Sequence, residues 1–202
     1  MIAIIDYGVG NLFSLSSSLS YLGLENKITR DAADIIAADR IILPGVGAFG
    51  DAIEKLHQTG LVDTIKAEVA KGKPMLGICL GMQLLFDKSY EYGEHEGLGL
   101  IHGEVCDLNK DLTTGLKVPE MGWNSLNFVK DHPILKYVKN GDYVYYVHSY
   151  YAKNCEESLV AYSEYEVKVP GVVSSGSVVG TQFHPEKSGA VGLAMLKAFA
   201  EM

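Results

Sequence analysis

The sequence predicts an α/β fold: a mixed, largely parallel central sheet flanked by helices, with an added antiparallel β portion. Three observations lead there. In the first half, short apolar runs (Ile2–Asp6, Arg40–Leu43, Met75–Ile78) alternate with segments of helical length and period, the pattern of parallel strands joined by covering helices. Each run stops at a glycine-containing turn: Tyr7-Gly8-Val9-Gly10-Asn11, Pro44-Gly45-Val46-Gly47 and Gly77-Ile-Cys79-Leu-Gly81. From Leu100 to Phe183 the helical period gives way to short β-like runs separated by Gly, Asn and Asp clusters.

Taken in order, Ile2–Asp6 reads as a buried strand. Leu12, Leu15, Leu19 and Leu22 then line one face of a helix that Gly23 closes. Lys27–Thr29 reads as a short strand, Asp31–Ala38 as a polar helix or turn, and Arg40–Leu43 as a strand ending at Pro44. Helices follow over about Ala48–His57 and Leu61–Lys71, the second with Leu61, Ile65 and Val69 on one face. Pro74 opens the next strand, Met75–Ile78, whose continuous apolar run suits a strand buried on both faces. The later β-like runs are Leu100–Leu108, Ser125–Val129, Asp142–His148, Leu159–Tyr162, Val172–Val173 and Val178–Phe183, and a helix over about Ala190–Glu201 ends the chain. No internal repeat, low-complexity segment or linker divides it, so residues 1–202 are read as one domain.

Composition narrows the function classes. A chain of 202 residues, 48% hydrophobic and 21% charged, buries roughly 70% of its unfolded surface in a single core. A net charge of −8 argues against partnership with nucleic acid or an anionic membrane. The three cysteines (Cys79, Cys106, Cys155) show no paired spacing, which points away from disulfides and toward a reducing compartment. Met1–Asp6 has no basic flank and too short an apolar run for a signal peptide, and no stretch has membrane-span length. A cytoplasmic location is expected. Gly8-Val9-Gly10 lacks the third glycine of a dinucleotide fingerprint. The six histidines show no His-x-x-x-His spacing and the cysteines no Cys-x-x-Cys, so neither a metal nor a cofactor is expected.

The segment Lys73–Phe86 carries the chemistry. Gly77 and Gly81 bracket Cys79 by two residues on each side, removing the Cβ atoms that would clash in a sharp strand-to-helix reversal. With serine, this layout is the nucleophile elbow of α/β-hydrolases. A thiol so placed faces the positive end of a helix dipole, which favours the reactive anion; the plain alternative is a small core residue. Far downstream, the apolar strand Val178–Phe183 runs into His184-Pro185-Glu186-Lys187. In an extended segment, His184 and Glu186 project to the same side. A thiol needs a base, and the base needs a carboxylate to orient it; the two segments are complementary in that sense.

Gly77-Ile-Cys79-Leu-Gly-Met-Gln83 together with His184-Pro-Glu186-Lys187 resembles the class I, triad-type glutamine amidotransferases. Within that family, Asp6-Tyr-Gly8-Val-Gly10-Asn11, Pro44-Gly45-Val46-Gly47 and Met121-Gly-Trp123-Asn124 resemble segments of the glutaminase subunits of imidazole glycerol phosphate synthases, enzymes of histidine biosynthesis. The likeness spans nearly the whole chain in matching order. Anthranilate and carbamoyl-phosphate relatives would carry histidine where this chain has Met82, and the pyridoxal-phosphate synthase relative lacks the Met-Gly-Trp-Asn segment.

The resemblance implies that Cys79 attacks glutamine, that His184 moves protons and that Glu186 orients it. It implies oxyanion donors at Leu80 N–H and Val46 N–H, each worth about 2.7–4 kcal/mol of barrier. It further implies glutamine contacts from Gly47, Gln83, Ser149 and Tyr150. Gln83, four residues past Cys79, is expected on the same helix face. The implied partner is a (β/α)8-barrel cyclase subunit that receives the ammonia, with Asn11, Trp123, Asn124 and Lys187 at the interface. For Trp123 a buried core position is the alternative, and for Lys187 a solvated charge. The Val46 peptide is read as a switch that turns inward only in the assembled complex, an ordinary tight turn being the alternative. Two other functions compete: a Cys-His-Glu hydrolase acting on esters or peptides without a partner, and a non-enzymatic module that only activates a partner. Asp6 and the acidic segment Glu91–Glu96 are left without a role.

Overall fold

The computed structural model describes residues 1–202. In chain order, the first half forms β1 (Ile2–Ile5), α1 (Leu12–Tyr21), β2 (Asn26–Thr29), α2 (Ala32–Ala37), β3 (Arg40–Gly45), α3 (Phe49–Gln58), α4 (Val62–Ala70), β4 (Met75–Cys79) and α5 (Leu80–Gln83). The second half forms β5 (Lys88–Ser89), β6 (His95–Glu96), β7 (Glu104–Asp107), β8 (Glu120–Ser125), β9 (Asn127–Phe128), β10 (Tyr143–His148) and β11 (Tyr150–Lys153). It ends with β12 (Leu159–Tyr165), β13 (Val167–Ser175), β14 (Val178–Thr181) and α6 (Gly189–Glu201).

Eight strands make the central sheet in the order β2-β1-β3-β4-β14-β13-β12-β9. The pairs from β2 to β14 are parallel and those from β14 to β9 antiparallel. Side chains alternate between its two faces. Ile5, Ile41, Leu43 and Met75 join α3 and α4 in one core; Ile4, Ile42, Leu76 and Ile78 join α1 and α6 in the other. A two-stranded ribbon, β8–β10, and a small four-stranded sheet, β11-β7-β5-β6, lie outside the main sheet.

The expected helices all form, and Gly23 does close α1. Its φ of +73° sits where Gly23 N–H reaches the Ser20 carbonyl and Leu24 N–H the Leu19 carbonyl, a Schellman end. Several strand expectations need correction. β3 does not stop at Pro44: Pro44 and Gly45 continue the parallel pairing, against Ile78 and Cys79, and Tyr7 donates its hydroxyl hydrogen to the Pro44 carbonyl at 2.7 Å. The run Leu100–Leu108 is a strand only over Glu104–Asp107. Leu100 and Ile101 instead donate backbone hydrogen bonds to the Leu85 carbonyl, closing the end of the α5 segment. β5, β6 and β11 fall outside the expected β-like runs, and β8 meets them only at Ser125. Gly122 and Asn124 break the apolar alternation that marks a strand in sequence, and β8 exists because β10 pairs with it residue for residue.

Candidate active site

Three parallel strands end side by side. Gly45 of β3 lies opposite Cys79 at the end of β4, and Thr181 of β14 lies opposite Ile78, with His184 three residues further on. The carboxyl ends of such strands are where open α/β sheets place their ligands. Cys79 there has φ 55° and ψ −113°, a conformation that non-glycine residues seldom hold without cause. The chain turns so sharply that a Cβ on Gly81 would fall 1.9 Å from the Leu43 carbonyl oxygen, and one on Gly77 would fall 2.7 Å from that of Gly81. Both glycines are therefore steric requirements of the elbow.

His184 follows β14. Its backbone N–H bonds the Tyr145 carbonyl at 3.0 Å, and Ser188 Oγ bridges the His184 carbonyl (2.7 Å) and the Tyr145 N–H (2.9 Å). Glu186 Oε1 accepts from His184 Nδ1 at 2.8 Å, both side chains being almost wholly buried. They do not meet by strand alternation. Pro185–Lys187 is a single 3₁₀ turn begun by proline, and it brings the carboxylate back against the ring. Because Nδ1 faces the carboxylate, Nε2 is the nitrogen left to face the sulfur. Burial pulls the His184 pKa down, but hydrogen bonding and charge from Cys79 and Glu186 outweigh it and hold the pKa at about 9.

One cavity opens over Cys79, lined also by His184, Val46, Gly47, Leu80, Gln83, Ser149 and Tyr150. Every expected catalytic, oxyanion and substrate position except Glu186 reaches it, and Glu186 stands behind His184. The Val46 N–H donates to no acceptor within the chain. Gln83 arrives by another route than expected: α5 is one turn and Cys79 precedes it with a left-handed φ, so the two share no helix face. The Gln83 amide instead donates to the Tyr150 carbonyl (2.9 Å) and to Gln182 Oε1 (3.1 Å).

Sequence reasoning missed three residues here. Glu91 lines the cavity and accepts from Phe49 N–H at 2.6 Å, at the start of α3. Burial raises its pKa, with the Phe49 N–H partly offsetting that. Glu120 holds His148 in a second buried histidine–carboxylate pair, 2.9 Å apart. Gln182 lies with Nε2 3.8 Å from the Cys79 sulfur. The available signals were polar residues within otherwise apolar or turn-like stretches. His148 also shows why a buried pair alone is not a catalytic base. Its second ring nitrogen faces the Tyr150 carbonyl at 3.0 Å, so neither nitrogen is free, whereas His184 has one to offer.

Of the expected interface positions, Trp123 is 56% exposed, which removes the core reading, and packs edge-on to Tyr145 at 6.0 Å. Lys187 is exposed and forms no ion pair; Asn11 is half-buried. The Asn124 amide is held inside the chain by Glu120 Oε1 and the Glu164 carbonyl, both at 2.9 Å. Asp6, without a role in the sequence reading, pairs with Arg30 at 2.8 Å and accepts from Gly8 N–H.

Residues 3–201 match the family model of class-I glutamine amidotransferases. The chain is 54% identical to the imidazole glycerol phosphate synthase subunit HisH of Caldanaerobacter subterraneus subsp. tengcongensis, covering all of this chain and 98% of that one. It is 50% identical to the HisH subunit of Listeria monocytogenes, covering all of this chain and 96% of the relative. Among solved structures, a glutamine amidotransferase superposes with a TM-score of 0.77 at 20% identity, covering all of this chain and 98% of that chain. PurLQS from Thermotoga maritima gives 0.76 at 20% identity, covering 99% and 97%; at such identities the likeness concerns the fold.

Proposed function

The chain belongs to the class I glutamine amidotransferase family, and on that premise we propose that its single domain hydrolyses L-glutamine and passes the ammonia to a cyclase partner in an imidazole glycerol phosphate synthase. The observation that carries this reading is the buried His184–Glu186 pair beside the strained Cys79 elbow, at a cavity that Val46 and Leu80 also line. The sulfur attacks the side-chain amide carbon of glutamine. Leu80 N–H, and Val46 N–H once its peptide turns inward, stabilise the tetrahedral oxyanion. The imidazolium of His184 gives its Nε2 proton to the leaving nitrogen, so ammonia departs and a thioester remains. His184, now neutral, takes a proton from water as the oxygen attacks the thioester; glutamate leaves and the thiolate–imidazolium state returns. Glu186 holds the ring tautomer throughout.

Gly47, Gln83, Ser149 and Tyr150 bound the glutamine site. The buried carboxylate of Glu91 adds a natural partner for the substrate's α-ammonium group. The names of the relatives, subunits of a synthase, support a complex with a cyclase subunit. We place a (β/α)8-barrel cyclase over the β8–β10 ribbon, whose outer face shows Met121, Trp123 and Tyr143, each more than half exposed. Asn11 and Lys187 extend the contact, and Asn124 supports the ribbon from inside. Ammonia then reaches a phosphoribosyl formimino-carboxamide ribonucleotide, giving imidazole glycerol phosphate and an aminoimidazole carboxamide ribonucleotide. We place its work in the cytoplasm, alongside the other steps of a biosynthetic route; no helix is long and apolar enough to cross a membrane.

The test is glutamate production by the chain alone, with the cyclase, and with the cyclase and its nucleotide. Activity is expected to rise steeply across the series and to vanish in Cys79→Ala. Full turnover by the isolated chain would overturn the Val46 switch; turnover by Cys79→Ala would overturn the nucleophile.

A further inference from the structure

We propose that Gln182 is a positioning residue for the nucleophile: its side-chain N–H is aimed at the Cys79 sulfur, in a direction dictated by a hydrogen-bond chain that begins at the Tyr150 carbonyl. Gln182 is completely buried and follows β14, beside the elbow. A primary amide can turn either end toward a neighbour, so the partners decide which end faces the sulfur. The Tyr150 carbonyl can only accept; the end of Gln83 lying 2.9 Å from it is therefore the NH₂. That NH₂ can only donate, so the Gln182 atom 3.1 Å away is the carbonyl oxygen. The end that remains, Nε2, lies 3.8 Å from Sγ and donates to it.

The chain is anchored at its far end. The Tyr150 carbonyl also accepts from His148 Nδ1 at 3.0 Å, and His148 Nε2 rests on Glu120 Oε2 at 2.9 Å. Glu120 Oε1 is held by the Asn124 amide, which also bonds the Glu164 carbonyl. Glu120 and His148 are direct cross-strand partners in the ribbon, so a buried network runs from the inner face of β8 to the thiol. Its effect at the sulfur is specific. The Val147 carbonyl, 3.9 Å from Sγ, can accept from a thiol but repels an anion. The Gln182 N–H offsets that repulsion and holds the sulfur beside His184. Flipping the amide would put an oxygen there instead.

The proposal rests on Cys79 being the nucleophile, and the experiment separates the two. In the complex with the cyclase, Cys79 alkylation by iodoacetamide is followed by mass spectrometry at pH 7, with Cys106 as internal reference. Gln182→Met keeps the length of the side chain and removes the donor. It is expected to slow Cys79 alkylation about tenfold to a hundredfold, the worth of a hydrogen bond to a charged group, with Cys106 unchanged. Glutaminase kcat is expected to fall by a similar factor while KM for glutamine moves less than about threefold. A folded Gln182→Met alkylated at the wild-type rate overturns the proposal. Where that variant does not fold, Gln83→Met decides, because it leaves Gln182 in place with its amide free to flip. Slowed alkylation of Cys79 then supports the proposal and the wild-type rate overturns it. Failure of a glutamine-mimicking chloroketone to label Cys79 in the wild-type complex overturns the nucleophile assignment itself.

Discussion

Replacing Glu186 with glutamine isolates what the carboxylate does for His184. The ring proton is held at a pKa of about 9 against an ordinary 6.5, a difference corresponding to about 3 kcal/mol of preference for the protonated form. Burial opposes that preference, and Cys79 and Glu186 supply it together. A charge-assisted hydrogen bond is worth about 1.5–3 kcal/mol. Glu186→Gln is therefore expected to bring the His184 midpoint down to roughly 7–8. The sign for stability follows from the pKa being raised on folding. The contribution is fully present below pH 6.5 and is lost as pH rises through about 9. Wild type is thus expected to exceed the variant most near pH 6.5, with the gap closing toward pH 9. Imidazole titration by NMR, with His184→Asn to identify the resonance among six histidines, and urea unfolding at pH 6.5 and 9 measure both effects. An unmoved His184 midpoint in a folded Glu186→Gln protein would refute the assignment of the pair.

Three further outcomes follow from the same geometry. Gly81→Ala puts a Cβ 1.9 Å from the Leu43 carbonyl and is expected to cost on the order of 3 kcal/mol or more, seen as loss of soluble folded protein or a large fall in Tm. Trp123→Ala, at a half-exposed position, is expected to weaken cyclase binding by about 2 kcal/mol or more in calorimetry, with Tm of the free chain nearly unchanged. Glu120→Ala leaves the His148 ring buried without its carboxylate and is expected to lower stability by about 3–5 kcal/mol in urea titrations, Glu120→Gln losing less.

Most of the fold was legible because both sheet faces are covered by helices, so β1, β3 and β4 had to be near-continuous apolar runs and the helices between them one-sided. The elbow was legible for a steric reason: only a small set of residues survives where a backbone oxygen would meet any Cβ. The ribbon strand β8 was not, because its inner face carries Glu120, Gly122 and Asn124; it depends on a partner strand some twenty residues downstream.

By itself the sequence determined the local chemistry of this protein. It supplied a thiol between two glycines, an imidazole and a carboxylate two residues apart, and a Pro-Gly-Val-Gly loop, all residues whose covalent character acts over one or two peptide units. Tertiary structure decided which groups meet. It set His184 and Cys79 at neighbouring strand ends, left one ring nitrogen of His184 free while occupying both of His148, and turned the Gln83 amide toward the Tyr150 carbonyl and Gln182, and the Gln182 amide toward the sulfur. The physical reason is that hydrogen-bond direction depends on what stands opposite, and the opposing groups lie 67 to 103 residues apart along the chain.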